Sequence, residues 1–159
     1  MTHGASLQEL EIIASTLAHR RSAIMKALAG LKTRLVDAME EVATATSELQ
    51  EAQARLEEID VYLEDVQDEL DALQASGGDS DLIAAKMVEV QELQDERVEE
   101  LELLTQLQHA LDIREWVTCR LRTLLALAVR HLAHCRRREQ LLAILVLRSS
   151  VGRKLRDLM

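Results

Sequence analysis

Apolar side chains recur at alternating steps of three and four residues from Leu7 to Leu73, and nineteen of the twenty positions on this path are apolar. The exception is Arg21. An average step of about 3.5 residues keeps one face of a helix against a neighbouring helix over many turns, as in a left-handed coiled coil. The preceding Ser6 and Glu9 have the spacing of a capping box, in which each side chain accepts a hydrogen bond from a backbone amide of the first turn. This pattern predicts a helix over about residues 6–76.

Two adjacent glycines, Gly77 and Gly78, interrupt a chain that has five glycines and no proline. Gly77 can adopt the left-handed conformation that ends a helix, and Ser80 with Asp79 or Asp81 can begin the next one. We expect a second helix over about residues 81–150, followed by a short tail over 151–159 or by a short extra C-terminal helix. The predicted fold is all-α, a long antiparallel two-helix coiled-coil hairpin that forms a single elongated domain over residues 1–159. The alternative keeps both helices end to end and pairs whole chains in parallel, but glycines at both positions of a continuous helix would cost about 2 kcal/mol.

The second half of the chain repeats less regularly than the first. Its apolar positions are interrupted by Arg97, and the register of the repeat is expected to shift around Ile113–Leu121. The usable positions before that shift are Val90, Leu93, Leu101, Leu104, Leu107 and Leu111. From Trp116 to Leu147, 20 of 32 residues are apolar, more than one face of a helix can hold. This excess predicts contact with a further helix, a second subunit or a partner, and Trp116 is expected in the core where the excess begins.

Charge divides the chain into an acidic middle and a basic C-terminal part. Residues 46–112 carry three basic and twenty acidic side chains, whereas residues 113–159 carry eleven basic and three acidic ones. Folding at the glycines would place both halves of the acidic stretch around the turn and form an acidic projecting tip. The residues of this predicted tip are Asp65, Asp68, Glu69, Asp71, Asp79 and Asp81. Such a surface either keeps the protein soluble or docks on a basic partner.

Antiparallel pairing would bring Arg20 and Arg21 near three consecutive arginines at positions 136–138. Because Arg21 lies on the apolar path, it either fixes the register of the two helices or meets a carboxylate of another chain. The predicted partner-binding residues are Arg20, Arg21, Trp116, Arg136, Arg137, Arg138, Leu141 and Leu145. An acidic protein partner within a larger complex is the favoured interpretation. Simple solvation, a lipid surface and a homo-oligomer are left open, and nucleic acid is disfavoured because no aromatic residues lie among the arginines.

No catalytic motif supports an enzyme. The chain has no phosphate-binding loop, no nucleophile elbow and no zinc-protease motif. His131, His134 and Cys135 have helical metal-ligand spacing, but they provide only three ligands beside three arginines, so we predict neither a metal site nor a cofactor. Cys119 and Cys135 would lie about 24 Å apart on one helix and cannot pair. With no secretory signal at the start and no long apolar run, a cytoplasmic location is expected.

These features predict a non-enzymatic coiled-coil scaffold or adaptor subunit that is anchored by its apolar and basic open end. By architecture, a two-helix rod of this kind resembles the stalk proteins that sit on secretion ATPases, and also the acidic-tipped hairpins of transcript-cleavage factors. The first resemblance implies an alternative function as a stalk-like regulator of an ATPase in a protein secretion machine. A second alternative is a peripheral membrane tether that uses the basic C-terminal helix.

Overall fold

The protein consists of two long helices, as seen in a computed structural model that describes residues 6–159. Helix α1 is Leu7–Ala75 and helix α2 is Ser80–Leu158. These helices account for 96% of the described residues, which contain no strand, and they contact each other as a helical hairpin. The predicted all-α hairpin is therefore confirmed. The first five residues of the predicted domain lie outside the described part of the chain.

The capping box that the sequence predicts opens α1. The backbone amide of Ser6 donates to Glu9 Oε2 at 3.1 Å, and the amide of Glu9 donates to Ser6 Oγ at 3.2 Å. Each side chain thus satisfies an amide that has no acceptor within the helix, an arrangement that contributes about 1 kcal/mol.

The two glycines end α1 in a Schellman motif. The amide of Gly78 donates to the carbonyl of Leu73 at 2.9 Å, and the amide of Gly77 approaches the carbonyl of Gln74 at 3.4 Å. This geometry requires a left-handed residue after the helix, and Gly77 has a φ of 67°. Gly78 also lies close to Leu73, since a Cβ atom at Gly78 would stand 3.3 Å from the Leu73 side chain.

Helix α2 begins directly after this turn. Asp79 is its N-cap, because Asp79 Oδ1 accepts a hydrogen bond from the amide of Asp81 at 3.0 Å. The Asp79 carbonyl accepts the first helical bond from the amide of Ile83, also at 3.0 Å. Among the three candidates for this start, the structure selects Asp79.

The C-terminal end of α2 differs from the prediction. The helix does not stop near residue 150 and is not followed by a tail or by a separate short helix, but continues to Leu158. Gly152 does not end it, because its φ is not positive and a single glycine inside a helix costs only about 1 kcal/mol. In the last turns, Arg156 Nε donates to the carbonyl of Gly152 at 3.3 Å.

Heptad positions describe the packing of α1, with Leu7 as position a and Leu10 as position d. All nineteen apolar residues of the predicted path are buried or half-buried. The only other residues of α1 in that state are Ala18 and Thr46. The 3.5-residue repeat therefore predicts the contact face of α1 almost completely.

The expected shift of register in α2 is wrong. Buried and half-buried residues continue at alternating steps of three and four from Ile83, a position a, to Ser149, a position d. The repeat looked broken because polar residues occupy several of its core positions, namely Lys86, Arg97, Glu100, Arg114, Thr118, Glu139 and Ser149. Four of them form ion pairs across the hairpin: Lys86 with Glu69, Arg97 with Asp60, Glu100 with Arg55 and Glu139 with Arg21. Pairing of this kind lets a polar side chain occupy a core position that an apolar count treats as an interruption.

The packing forms two units, each built from a segment of α1 and a segment of α2. Unit 1 combines the described residues up to Asp37 with Thr118–Met159, and unit 2 is Ala38–Val117. The buried core of unit 1 contains Leu10, Leu17, Cys135 and Leu142, with Ala14, Ile24 and Val146 packed against it. The buried core of unit 2 contains Ala45, Leu49 and Leu111, with Val42, Leu104 and Leu107 packed against it.

We expect Gly77→Ala to destabilise the protein by about 1–2 kcal/mol, because alanine disfavours the left-handed conformation. Gly30→Ala is the matched control: Gly30 lies within α1 and a Cβ atom there meets nothing within 4 Å. That change should stabilise the protein by about 1 kcal/mol. Urea denaturation followed by circular dichroism measures both values. A stabilising effect of Gly77→Ala would contradict the turn.

Candidate partner-binding surface

The two units have opposite net charge. Residues 6–37 and 118–159 of unit 1 carry fifteen basic and five acidic side chains, a net charge of +10. Unit 2 carries four basic and twenty-three acidic side chains, a net charge of −19. Because surfaces of opposite net charge attract partners of opposite charge, each unit is a separate candidate for partner binding.

Arg21 has its counter-charge within the same chain. It occupies position a of α1, and its Nη1 lies 3.1 Å from Oε2 of Glu139 at position a of α2. A carboxylate of another chain is therefore not needed to explain Arg21. The Arg21–Glu139 pair interrupts the apolar core of unit 1 and favours the one pairing in which the two residues meet, in keeping with the expectation that Arg21 fixes the register.

The other predicted arginines do not form one cluster. Arg20 and Arg138 occupy g positions and line the same groove of unit 1. Arg136 is at position e, on the opposite side of α2, and Arg137 is at position f, on the helix back. Since each residue rotates the helix by about 100°, three consecutive arginines point in three directions. All four side chains are exposed.

Two shallow grooves follow the g positions of unit 1, and together we call them the g-side groove. The first has an apolar floor and includes the predicted Leu141 and Leu145; its other lining residues include Ile13, Leu17 and Leu142 beside Arg20 and Arg138. The second is lined by residues that include Ile24, Leu31, Leu124 and Leu127 beside Arg34 and His131. Among the described residues that line either groove there is no carboxylate.

Trp116 is in neither the core nor this groove. Its side chain is 67% exposed and it belongs to unit 2, so the expectation of a core tryptophan is wrong. The core of α2 passes through Leu111, Arg114 and Thr118, which places Trp116 at position f, facing away from α1. Its predicted role in partner binding is unaffected by this exposure and stays a prediction.

The six predicted tip residues are all exposed and lie in unit 2 around the turn. Two of them already have structural roles. Asp79 caps α2, and Glu69 Oε2 accepts a hydrogen bond from Lys86 Nζ at 2.5 Å. The acidic surface therefore contributes to the hairpin itself as well as to its charge.

A hydrogen-bonded network in unit 2 was not anticipated from the sequence. Tyr62 donates its hydroxyl to Glu89 Oε1 at 2.8 Å, and Lys86 Nζ lies 3.3 Å from Glu89 Oε2. The hydrogen bond to Glu89 raises the pKa of Tyr62, and it lowers the pKa of Glu89. The hydrogen bond to Glu69 raises the pKa of Lys86. Continuing the three-and-four path backwards from Val90 would have placed Lys86 in the core and pointed to this network.

The histidines and the cysteine with metal-ligand spacing do not converge. Cys135 is buried in the core of unit 1, where its Sγ lies 3.5 Å from the Leu17 carbonyl as a weak hydrogen-bond donor. His131 lines the g-side groove, and His134 is exposed. In the described part of the chain, no group of three histidine, cysteine or acidic residues is placed to hold a metal ion.

Comparisons of this chain with protein families, with curated proteins and with solved structures give no significant match. No relative therefore indicates a function, and function is inferred from the surfaces of the chain itself.

We expect the pKa of Tyr62 to lie above 10.0 in the folded protein, because its protonated hydroxyl donates a hydrogen bond to the Glu89 carboxylate, which would repel the phenolate. Glu89→Gln removes that charge and should return the pKa toward 10.0. Tyr62 is the only tyrosine of the chain, so tyrosinate absorbance during an alkaline titration reports it directly. Glu92→Gln, at an exposed position of the same helix, is the control. Identical titration curves for Glu89→Gln and the unchanged protein would show that the two helices pair in another register.

Proposed function

We propose that the protein is a non-enzymatic cytoplasmic adaptor subunit that binds a partner protein through the apolar and basic surface of unit 1. One observation carries this proposal. Between Leu141 and Leu158, seven leucine, isoleucine and valine side chains are exposed although Leu142 and Val146 already pack in the core of unit 1. These exposed residues are Leu141, Ile144, Leu145, Leu147, Val151, Leu155 and Leu158. Apolar surface of this density on one helix is typical of protein contact sites.

The basic side chains of unit 1 support a protein partner of negative charge. They are interspersed among the exposed apolar residues, as Arg148 and Arg153 show. An interface that combines apolar contacts with complementary charge gains affinity from the former and speed and specificity of association from the latter. The acidic surface of unit 2 offers a separate contact for a basic component of the same assembly.

The titratable groups support a binding role rather than catalysis. The pKa values of Tyr62, Lys86 and Glu89 are shifted by bonds that these residues make to one another or to Glu69 on the surface of unit 2. Bonds of this kind hold two helices together, whereas catalysis relies on shifted groups within an enclosed cleft.

Site-specific photo-crosslinking in the native cells tests the proposal. A photoreactive residue at Ile144 or Leu145, both exposed in unit 1, should crosslink one partner protein identifiable by mass spectrometry. The same probe at Glu92, exposed in unit 2, should crosslink that protein much less. Equal crosslinking from all three positions, or none from unit 1, would contradict the adaptor. If the partner hydrolyses ATP and the purified protein stimulates that hydrolysis, the stalk-like regulator describes the function better.

We expect charge reversal of Arg136, Arg137 and Arg138 to glutamate to reduce recovery of the crosslinked partner by about tenfold while circular dichroism shows unchanged helicity. All three are exposed, so their replacement leaves the core intact. Reversal of Arg55, Lys86 and Arg97 is not a suitable control, since these residues form ion pairs within unit 2. Reversal of Arg120, Arg122 and Arg130, which are exposed on the same helix, is suitable because it changes the net charge by the same amount. Full recovery by the first variant would remove the three arginines from binding.

A membrane tether is the second candidate, favoured by the last two turns of α2. Here Val151, Leu155 and Leu158 are exposed beside Arg153, Lys154 and Arg156. A helix with these residues can lie on an anionic lipid surface. Among residues 6–159, no helix carries an apolar stretch long enough to cross a bilayer. Flotation with vesicles that contain anionic lipid at low salt tests this candidate, and absence of co-flotation would remove it.

A further inference from the structure

The g-side groove has the width and the apolar floor that a third packed helix requires. Its floor consists of core residues that the hairpin leaves open along this side, among them Leu17, Ile24 and Leu31. A helix is about 10 Å wide and packs at about 8–10 Å from its neighbours, so the furrow between two helices matches a third. Leu124, Leu127 and Leu145 extend the apolar surface along one wall.

The charges that line this groove all have one sign. Arg20 and Arg138 line its first part from opposite helices, and Arg34 lines its second part. In antiparallel pairs, facing g positions with opposite charges attract each other, whereas two arginines repel. An anionic side chain between Arg20 and Arg138 would relieve that repulsion. The groove therefore complements a helix whose apolar face is flanked by carboxylates.

A second copy of this chain does not supply that helix. Unit 1 of another copy has the same net charge of +10 and would be repelled. Unit 2 has the carboxylates, but the exposed large apolar residues on its part of α2 form no single stripe, because they fall at five different heptad positions, for example Met87 at e, Val98 at b and Ile113 at c. The occupant is therefore a different chain.

A membrane fits the groove less well than a helix does. A lipid surface contacts residues that stand out from a helix pair, such as Ile144 and Val151 at f positions, and it does not enter the furrow between two helices. The groove and the back of α2 can thus be tested separately.

We propose that the g-side groove of unit 1 binds an amphipathic helix of another protein, with carboxylates beside its apolar face held between Arg20 and Arg138. This inference rests on the proposed adaptor function and names the chemistry of its partner. It makes unit 1 a three-helix bundle when the partner is bound.

The probe is a synthetic helical peptide of about three heptads with leucine at positions a and d and glutamate at e and g. Its matched control has lysine in place of each glutamate. Fluorescence anisotropy with the full chain should show binding of the glutamate peptide at least about tenfold tighter than that of the lysine peptide. Equal affinity for both peptides would overturn the proposal.

Two single variants locate the binding. Arg138→Glu changes the groove and should weaken the glutamate peptide by about tenfold, whereas Arg136→Glu makes the same charge change on the other side of α2 and should have less than about a twofold effect. The double variant Arg20→Glu/Arg138→Glu should prefer the lysine peptide, and this reversal cannot result from misfolding. Equal losses for Arg136→Glu and Arg138→Glu would show attraction to net charge only and overturn the groove.

Two further experiments test lipid and a second copy as occupants of the groove, and a third distinguishes the groove from the proposed function. Anionic-vesicle binding that Arg138→Glu abolishes and Arg136→Glu spares would assign the groove to lipid. A dimer mass in light scattering that Arg138→Glu abolishes would assign it to a second copy. Either result overturns the helix proposal. Native crosslinks to a partner from Ile144 but not from Ile13, which lines the groove, would overturn the groove and leave the adaptor function standing.

Discussion

Burial of the a and d side chains between α1 and α2 is the contact on which both units depend. Neither helix has another described surface to pack against, and a long helix in water gains most of its stability from an apolar face that is covered. Ala52 and Val66 in unit 2, and Leu10 in unit 1, are almost completely removed from solvent by this contact. Any change in the register of the repeat would expose these residues and also move the g positions that line the groove.

The core of the hairpin uses charge where it departs from apolar packing. Arg21 meets Glu139 in unit 1, and Lys86, Arg97 and Glu100 meet partners in unit 2. Pairs this exposed contribute little to the free energy of folding, because water and salt screen the attraction. Their greater effect is on specificity, because a shifted register would separate each charge from its partner. The polar core positions and the functional surface thus depend on the same alignment.

Helix α1 and the turn could be predicted from the sequence because their determinants are local. The repeat from Leu7 to Leu73 is uninterrupted except at Arg21, and Gly77 has a conformation that few other residues accept. Helix α2 could be predicted only in part. Glu100 and Glu139 occupy core positions because each pairs with an arginine of α1, and the sequence of α2 alone does not show these partners. The expectation that Trp116 lies in the core fails because the neighbouring core position belongs to a polar residue, Thr118, which is 6% exposed.

The candidate partner-binding surface could likewise be predicted from the sequence only in part. Composition located the excess of apolar and basic residues in the C-terminal part of the chain, but it could not say which side of α2 each residue faces. Arg136, Arg137 and Arg138 are adjacent in sequence, and only Arg138 shares a groove with Arg20. Pairing with α1 decides that difference, since it defines the e side and the g side of the hairpin.

A distance between α1 and α2 within unit 1 tests the hairpin and its register most directly. His19 and Gln140 are exposed and lie beside the Arg21–Glu139 layer, so spin labels there leave the core intact. The labels are introduced in a Cys119→Ser background, since Cys119 is exposed and Cys135 is buried. In samples diluted with unlabelled protein, the account predicts a distance of less than about 30 Å within one molecule. Loss of that short distance on dilution, as expected for chains paired in parallel whose labels lie about 180 Å apart along each, would contradict it.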